Sequence, residues 1–212
     1  MLNHDLLKRD ALAPPHDFEP SDDIFRPADP GNAAHEDKIF FAIQPPPFTA
    51  SSIRRLAFYL RDKHRLTGEL LRSECLHASL LFAGYHGRMP PQTLSAIRQA
   101  AATIVMPRFR VSFDWVVSFR NRRNRPLALR GDDGVSGLIA LRDKLVAATI
   151  DIPGIPAARR EFNPHLTLLY DQRDIREEPV EEISWPVNEF VLIRSLFGQS
   201  RHIVLGRWPL RG

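Results

Sequence analysis

Asn163-Pro164-His165-Leu166-Thr167-Leu168-Leu169-Tyr170 reads as a β-strand entered from a turn, because Asn-Pro interrupts the chain just before an apolar run. Side chains alternate between the faces of a strand, so His165 and Thr167 share one face and Leu166 and Leu168 the other. Same-face neighbours lie about 6.5–7 Å apart along the backbone, a spacing at which an imidazole and a hydroxyl flank one tetrahedral phosphate. The pattern occurs twice. Leu76-His77-Ala78-Ser79-Leu80-Leu81-Phe82 puts His77 and Ser79 on one face of an earlier strand, 88 positions before the second copy. Each copy begins His-x-(Ser or Thr)-x-Leu. One such triplet is most often an ordinary half-buried histidine, but a matched pair with similar segments upstream points to a shared site.

Working outward, each histidine strand is preceded by the same series of elements. Lys38–Ile43 reads as a buried strand ended by Pro45-Pro46-Pro47. A helix follows, with Thr49 or Ser51 as its cap, Ile53, Leu56, Ala57 and Leu60 as its apolar stripe, and Gly68 at the turn beyond. The first histidine strand runs His77–Phe82 and closes at Gly84. After a helix over Gln92–Ala102, Phe109–Phe119 alternates as a half-exposed strand with Phe109, Val111, Phe113, Trp115, Val117 and Phe119 on one face. The basic loop Asn121-Arg122-Arg123-Asn124-Arg125-Pro126 leads to a short strand at Leu127–Leu129. A helix over Val135–Ile150 comes next, with Leu138, Leu141, Leu145 and Ala148 inward, and then a loop containing Pro153, Gly154 and Pro156. An acidic loop, Asp171–Glu182, precedes two last strands at Glu189–Leu196 and His202–Trp208. Strand, helix, loop and histidine strand thus recur in order. This predicts a duplicated α+β unit in which one histidine from each half meets the other across a cleft.

Composition narrows the class. Hydrophobic content of 43% and charged content of 25% are those of a soluble globular protein. With one cysteine, Cys75, no internal disulfide forms, and a reducing compartment is expected. Cys75 reads as a buried, inert thiol. No apolar run reaches the ~18–20 residues of a membrane span, and no basic start with an apolar core opens the sequence. The expectation is a cytoplasmic monomer with no membrane contact. Residues 1–37 hold three basic and nine acidic residues, net −6, among scattered prolines, and read as a disordered or loosely draped extension. Residues 38–212 carry net +10 and form the domain; 25 of the chain's 29 basic residues are arginine, which suits phosphate recognition.

The paired motifs, together with Val191-Leu192-Ile193-Arg194-Ser195 and Arg207-Trp208-Pro209-Leu210, resemble the two-histidine (2H) phosphoesterases. The resemblance is to the RNA 2′,3′-cyclic phosphodiesterases also called 2′-5′ RNA ligases, and it covers about residues 38–212. It implies a bilobal α+β fold of two antiparallel sheets with outer helices and a central cleft between the histidine strands. It also implies His77 as general acid, His165 as general base, Ser79 and Thr167 as phosphate ligands, and a 2′-phosphomonoester product. The substrate would be RNA with a 2′,3′-cyclic phosphate end, or a cyclic nucleotide, and the reverse reaction would be 2′-5′ ligation. Imidazole suits both proton transfers because it titrates near neutrality, which predicts a bell-shaped pH profile with a maximum near pH 7.

The sequence departs from the family pattern at Ala78, where a larger apolar residue is common, and at Tyr170, where many relatives carry a basic residue. Arg122, Arg123, Arg125, Arg159 and Arg160 are the loop candidates for a replacement phosphate contact. Zinc would need three or four His, Cys or carboxylate ligands, and two His-x-(Ser/Thr) motifs supply only two nitrogens, so neither a metal nor another cofactor is expected. His4, His16, His35, His64, His86 and His202 read as incidental, and Phe162 as a core residue rather than a platform for a base. The alternative to catalysis is an RNA-binding module that keeps the fold, but binding alone does not require paired proton-transfer groups.

Overall fold

The computed structural model describes residues 36–119, 125–158 and 161–212. Apart from Glu36 and Asp37, the acidic extension lies outside the described residues, as do Arg122, Arg123, Arg159 and Arg160. Eight strands form one antiparallel sheet: β1 (Lys38–Ile43), β2 (Ala78–Tyr85), β3 (Phe109–Ser118), β4 (Arg125–Arg130), β5 (His165–Asp171), β6 (Glu178–Val187), β7 (Glu189–Leu196) and β8 (Arg201–Pro209). Their order is β6-β3-β4-β5-β2-β1-β7-β8. Instead of two separate sheets, the sheet is continuous, although β5 and β2 are joined only by the pair Ala78↔Leu166.

Three helices, α1 (Pro47–Lys63), α2 (Pro91–Ala102) and α3 (Ser136–Thr149), accompany the sheet. The chain crosses over as it packs: α1 lies against β5 and β6, while α3 lies against β2 and β3. Each of these two helices meets the core through a periodic apolar stripe, with Ala50, Ile53, Ala57 and Leu60 buried on α1 and Leu138, Leu141 and Leu145 on α3. The start of α1 differs from expectation. Pro46 takes the cap position and Pro47 opens the helix without a side-chain cap, while the Ser51 hydroxyl donates back to the Pro47 carbonyl at 3.0 Å. Proline suits this place because its fixed φ is already helical and its missing N–H would be unpaired there anyway.

Three sequence readings are corrected by the sheet. First, Asp171–Glu182 is not all loop, because β6 begins at Glu178 and forms a sheet edge. Its Glu181 and Glu182 are exposed and it contains Pro179 and Pro186, residues that keep an edge strand from pairing further. Second, β3 does not keep one apolar face. Phe113 pairs with Ile183 and Trp115 with Pro179, so three residues of β6, 180–182, stand opposite Asp114 alone; past this irregularity the buried positions of β3 pass from Val111 and Phe113 to Val116, and Trp115 and Val117 are only partly buried. Third, Gly84 lies inside β2 rather than closing it, and its φ of +138° accompanies a bulge at Ala83.

The first described residues are docked onto the domain. Asp37 accepts from the Arg194 guanidinium at 2.6 and 2.7 Å and from the Phe197 N–H at 2.9 Å, and Glu36 pairs with Arg88 at 2.9 Å.

Candidate active site

His77 stands immediately before β2 and His165 opens β5, the two strands joined by Ala78↔Leu166. Ala78 and Leu166 are fully buried on the helix side of the sheet. Carried one residue each way, the antiparallel register sets His77 across from Thr167 and Ser79 across from His165, all on the other face. The sequence-predicted quartet is therefore gathered at the seam of the sheet.

The two motifs match beyond their residue types. His77 donates Nδ1–H to the Cys75 carbonyl at 2.7 Å, and His165 donates Nδ1–H to the Asn163 carbonyl at 2.8 Å. In each case the carbonyl two residues back fixes the neutral tautomer and leaves the lone pair on Nε2. A bulge follows each motif. Ala42 pairs with Ser79 and Phe41 with Leu81, leaving Leu80 extra; Ala128 pairs with Thr167 and Leu127 with Leu169, leaving Leu168 extra. Past each bulge the alternation resumes one residue out of step, so Phe82 and Tyr170 come onto the histidine face. There the Tyr170 hydroxyl hydrogen-bonds Thr167, and burial pushes the phenol well above its ordinary range.

Aromatic rings hold the imidazoles. Phe40 lies 4.9 Å from the His77 ring and Phe119 lies 5.0 Å, edge on, from His165. Phe40 belongs to a small apolar cluster with Ala42, Val191 and Ile193, separate from the main core under the helices. Burial depresses both histidines. It drives His77 down to about 3, with the neighbouring His202 and His165 opposing a charge there too and only the Cys75 carbonyl favouring one. His165 is also lowered by burial, against the help of the Asn163 carbonyl.

Two residues of this neighbourhood escaped the sequence reading. Arg130 on β4 pairs directly with His165 across the strands, and its guanidinium is held by Glu177 at 2.7 Å and Asp132 at 3.0 Å. Strand alternation from Ala128 places it on this face, but nothing in the sequence reveals which strand lies beside β5. His202, read as incidental, packs its ring 5.1 Å from His77. The other forecasts divide. Arg125 is paired with Asp174 at 2.6 Å. Phe162 packs against the main core, with the Arg142 guanidinium 4.8 Å above its ring. Cys75 is buried and donates to the Ser200 carbonyl at 3.1 Å. Among the described residues no cluster of three or more His, Cys, Asp or Glu is arranged to hold a metal, and no helix is long and apolar enough to cross a membrane.

Comparison with known proteins gives the family. The chain is 30% identical over 179 residues to the RNA 2′,3′-cyclic phosphodiesterase of Escherichia coli (strain K12), which covers 82% of this chain and 96% of that protein. The crystal structure of E. coli LigT complexed with 3′-AMP matches with a TM-score of 0.66 at 28% identity, over 84% of this chain and all of that one. A Thermus thermophilus protein of known crystal structure shares the fold at a TM-score of 0.68 and 21% identity, over 82% of this chain and 98% of its own. The family model described as the 2′-5′ RNA ligase superfamily matches residues 45–198, a span that contains both histidine motifs. The chain belongs to the 2′-5′ RNA ligase superfamily of two-histidine phosphoesterases.

Proposed function

We propose that this protein opens the 2′,3′-cyclic phosphate end of RNA, or a related cyclic nucleotide, to a 2′-phosphomonoester by paired histidine acid–base catalysis without a metal. The observation that carries the reading is the matched pair of tautomers. Both motif imidazoles give Nδ1–H to a backbone carbonyl and keep Nε2 for chemistry. The name of the E. coli relative supports the substrate class.

In this scheme Nε2 of His165 takes a proton from water as its oxygen attacks phosphorus. His77 gives a proton to the departing 3′ oxygen, a direction that follows the family pattern. Ser79 and Thr167 hydroxyls donate to the non-bridging oxygens as charge builds there. Thr167 is itself held by Tyr170, so its hydroxyl is oriented before substrate arrives. His77 is neutral in the free enzyme near neutral pH; an arriving phosphate anion favours the imidazolium and so charges the acid when it is needed. The reverse path, joining a cyclic phosphate end to a hydroxyl in a 2′-5′ linkage, uses the same groups, with hydrolysis favoured in water.

The scaffold reads as two pseudo-symmetric lobes within residues 38–212, each counted outward from its histidine strand: β5-β4-β3-β6 and β2-β1-β7-β8. The bulge three residues after each histidine supports this reading. Residues 1–37 are then an appended acidic segment of a monomeric cytoplasmic enzyme. The deciding assay incubates the purified protein with an RNA ending in 2′,3′-cyclic phosphate in the presence of EDTA. A 2′-phosphate end is the expected product. No turnover, or turnover abolished by the chelator, overturns the proposal.

A further inference from the structure

His202 differs from the motif histidines in what its nitrogens meet. His77 and His165 each satisfy Nδ1 with a carbonyl, whereas Nδ1 of His202 is buried with no hydrogen-bond partner among the described residues. Its ring stands edge on to His77 at 5.1 Å and 70°, and edge on to Phe40 at 5.9 Å and 80°. On its other side His202 borders a separate cleft of about 760 Å³ with Gln44, Ser73, Glu74 and Arg207, whose lining includes neither His77 nor His165. A buried N–H without an acceptor is rare and costly, while an unpaired lone pair is better tolerated. The single proton of the neutral ring therefore belongs on Nε2, and burial opposes a second one.

We propose that His202 is a third substrate-contacting imidazole, a neutral ring whose Nε2–H donates to a non-bridging oxygen of the phosphate held against His77. The inference rests on the proposed phosphodiesterase reading and assigns its site a further ligand. It gives the three imidazoles unlike duties: Nε2 of His165 takes a proton, Nε2 of His77 delivers one, and the Nε2–H of His202 donates a hydrogen bond without transfer. It also supplies a phosphate contact from β8 in a chain whose second motif ends in Tyr170 rather than a basic residue.

Two substitutions separate donation from packing. His202→Phe keeps the ring and loses the donor; His202→Gln loses the ring and keeps an N–H at similar reach. For turnover of the cyclic-phosphate RNA, His202→Phe is expected to lower kcat/KM by about 10²–10³-fold, the loss typical of one oxyanion donor, with His202→Gln restoring most of it. The opposite ranking, or full activity in His202→Phe, overturns the proposal. Imidazole ¹⁵N NMR of the wild-type protein reads the tautomers directly, whether or not the variants fold. The expected result is Nε2–H for His202 against Nδ1–H for His77 and His165, and Nδ1–H at His202 overturns the proposal. If the wild-type protein has no turnover, the phosphodiesterase reading fails by itself. The same two variants then test His202 through affinity for inorganic phosphate, where weakening only in His202→Phe supports the contact and equal affinities refute it.

Discussion

Burial and, after it, the neighbouring His202 and His165 oppose a proton on His77, and only the Cys75 carbonyl favours one. A base benefits from this environment and an acid does not. His165, lowered by burial, stays neutral and competent to a lower pH than a free imidazole. His77, held down to about 3, loses its proton in the free enzyme as pH rises through the acid range. The profile of kcat/KM, which reports the free enzyme, should therefore peak on the acid side of neutrality. The kcat profile, reporting the complex in which the phosphate anion favours His77 imidazolium, should peak nearer neutral pH. Rates measured from pH 4 to 9 test this, and coincident profiles would show that substrate does not charge His77. His77→Ala and His165→Ala should each cut turnover at least about a hundredfold with the circular dichroism spectrum retained. Ser79→Ala and Thr167→Ala should lose about 10–10³-fold, one hydroxyl donor each. These four residues were legible in the sequence because the motif is repeated, and repetition separates a site from an ordinary strand histidine. His202 and Arg130 were not, because each reaches the site from a strand whose place in the sheet no local pattern encodes.

At the scale of elements, periodicity located strands and helices well wherever one face is apolar, as in α3, and failed where a bulge or an edge changes the rule. The pairing of β3 with β6 slips opposite Asp114, where β6 carries the extra residues, and the alternation read through Phe119 holds up to Phe113 and is out of step at Val116. The first half of β6, up to Glu182, reads as loop because an edge strand displays the glutamates and prolines of one. The bulge at Leu168 is equally invisible in the sequence, yet it puts Tyr170 beside Thr167. The segment after α1 bears on this part of β5. Asp171 is buried there, which by itself raises its pKa, but N–H groups of Arg173, Gly68 and Thr67 bond the carboxylate and hold it below its ordinary range. Gly68 leaves no room for a side chain, since a Cβ there would overlap the Tyr170 carbonyl oxygen. Gly68→Ala must therefore push β5 and the 66–70 segment apart. It should cost about 1–3 kcal/mol, as overpacking does, seen as a lower urea midpoint. Turnover should fall with it because Tyr170 moves away from Thr167; a variant with unchanged midpoint and rate would show that this contact does not position Tyr170.

Across the whole molecule, the seam between β2 and β5 brings His77 and His165 together, β8 sets His202 against His77, and each of the three resists protonation mainly through burial. Stability must then depend on pH, and the sign follows from proton counts. Below pH 6.5 the unfolded chain protonates these histidines more readily than the folded protein, so the unfolded state gains and stability falls as pH falls. The contribution is complete above pH 6.5 and is lost down to the folded pKa, about 3 for His77. Asp37, Asp171 and Glu178 are also lowered on folding, but their contributions are lost only below the ordinary carboxylate range. Between pH 6.5 and 4.5 the histidines should dominate. One fully suppressed histidine destabilises by about 1.4 kcal/mol per pH unit in that window. For a domain of this size this is roughly 3–5 °C in Tm per pH unit. His77→Asn, which does not titrate, should flatten the slope over that window. Inorganic phosphate should also reduce the loss, because an anion bound at the site favours the charged imidazoles and stabilises the folded state by mass action. Thermal melts at pH 6.5, 5.5 and 4.5, with and without phosphate, measure both effects. A wild-type Tm that stays level across the three pH values would mean that these histidines accept protons in the folded state. The geometry of buried, neutral imidazoles on which the proposed mechanism depends would then be wrong.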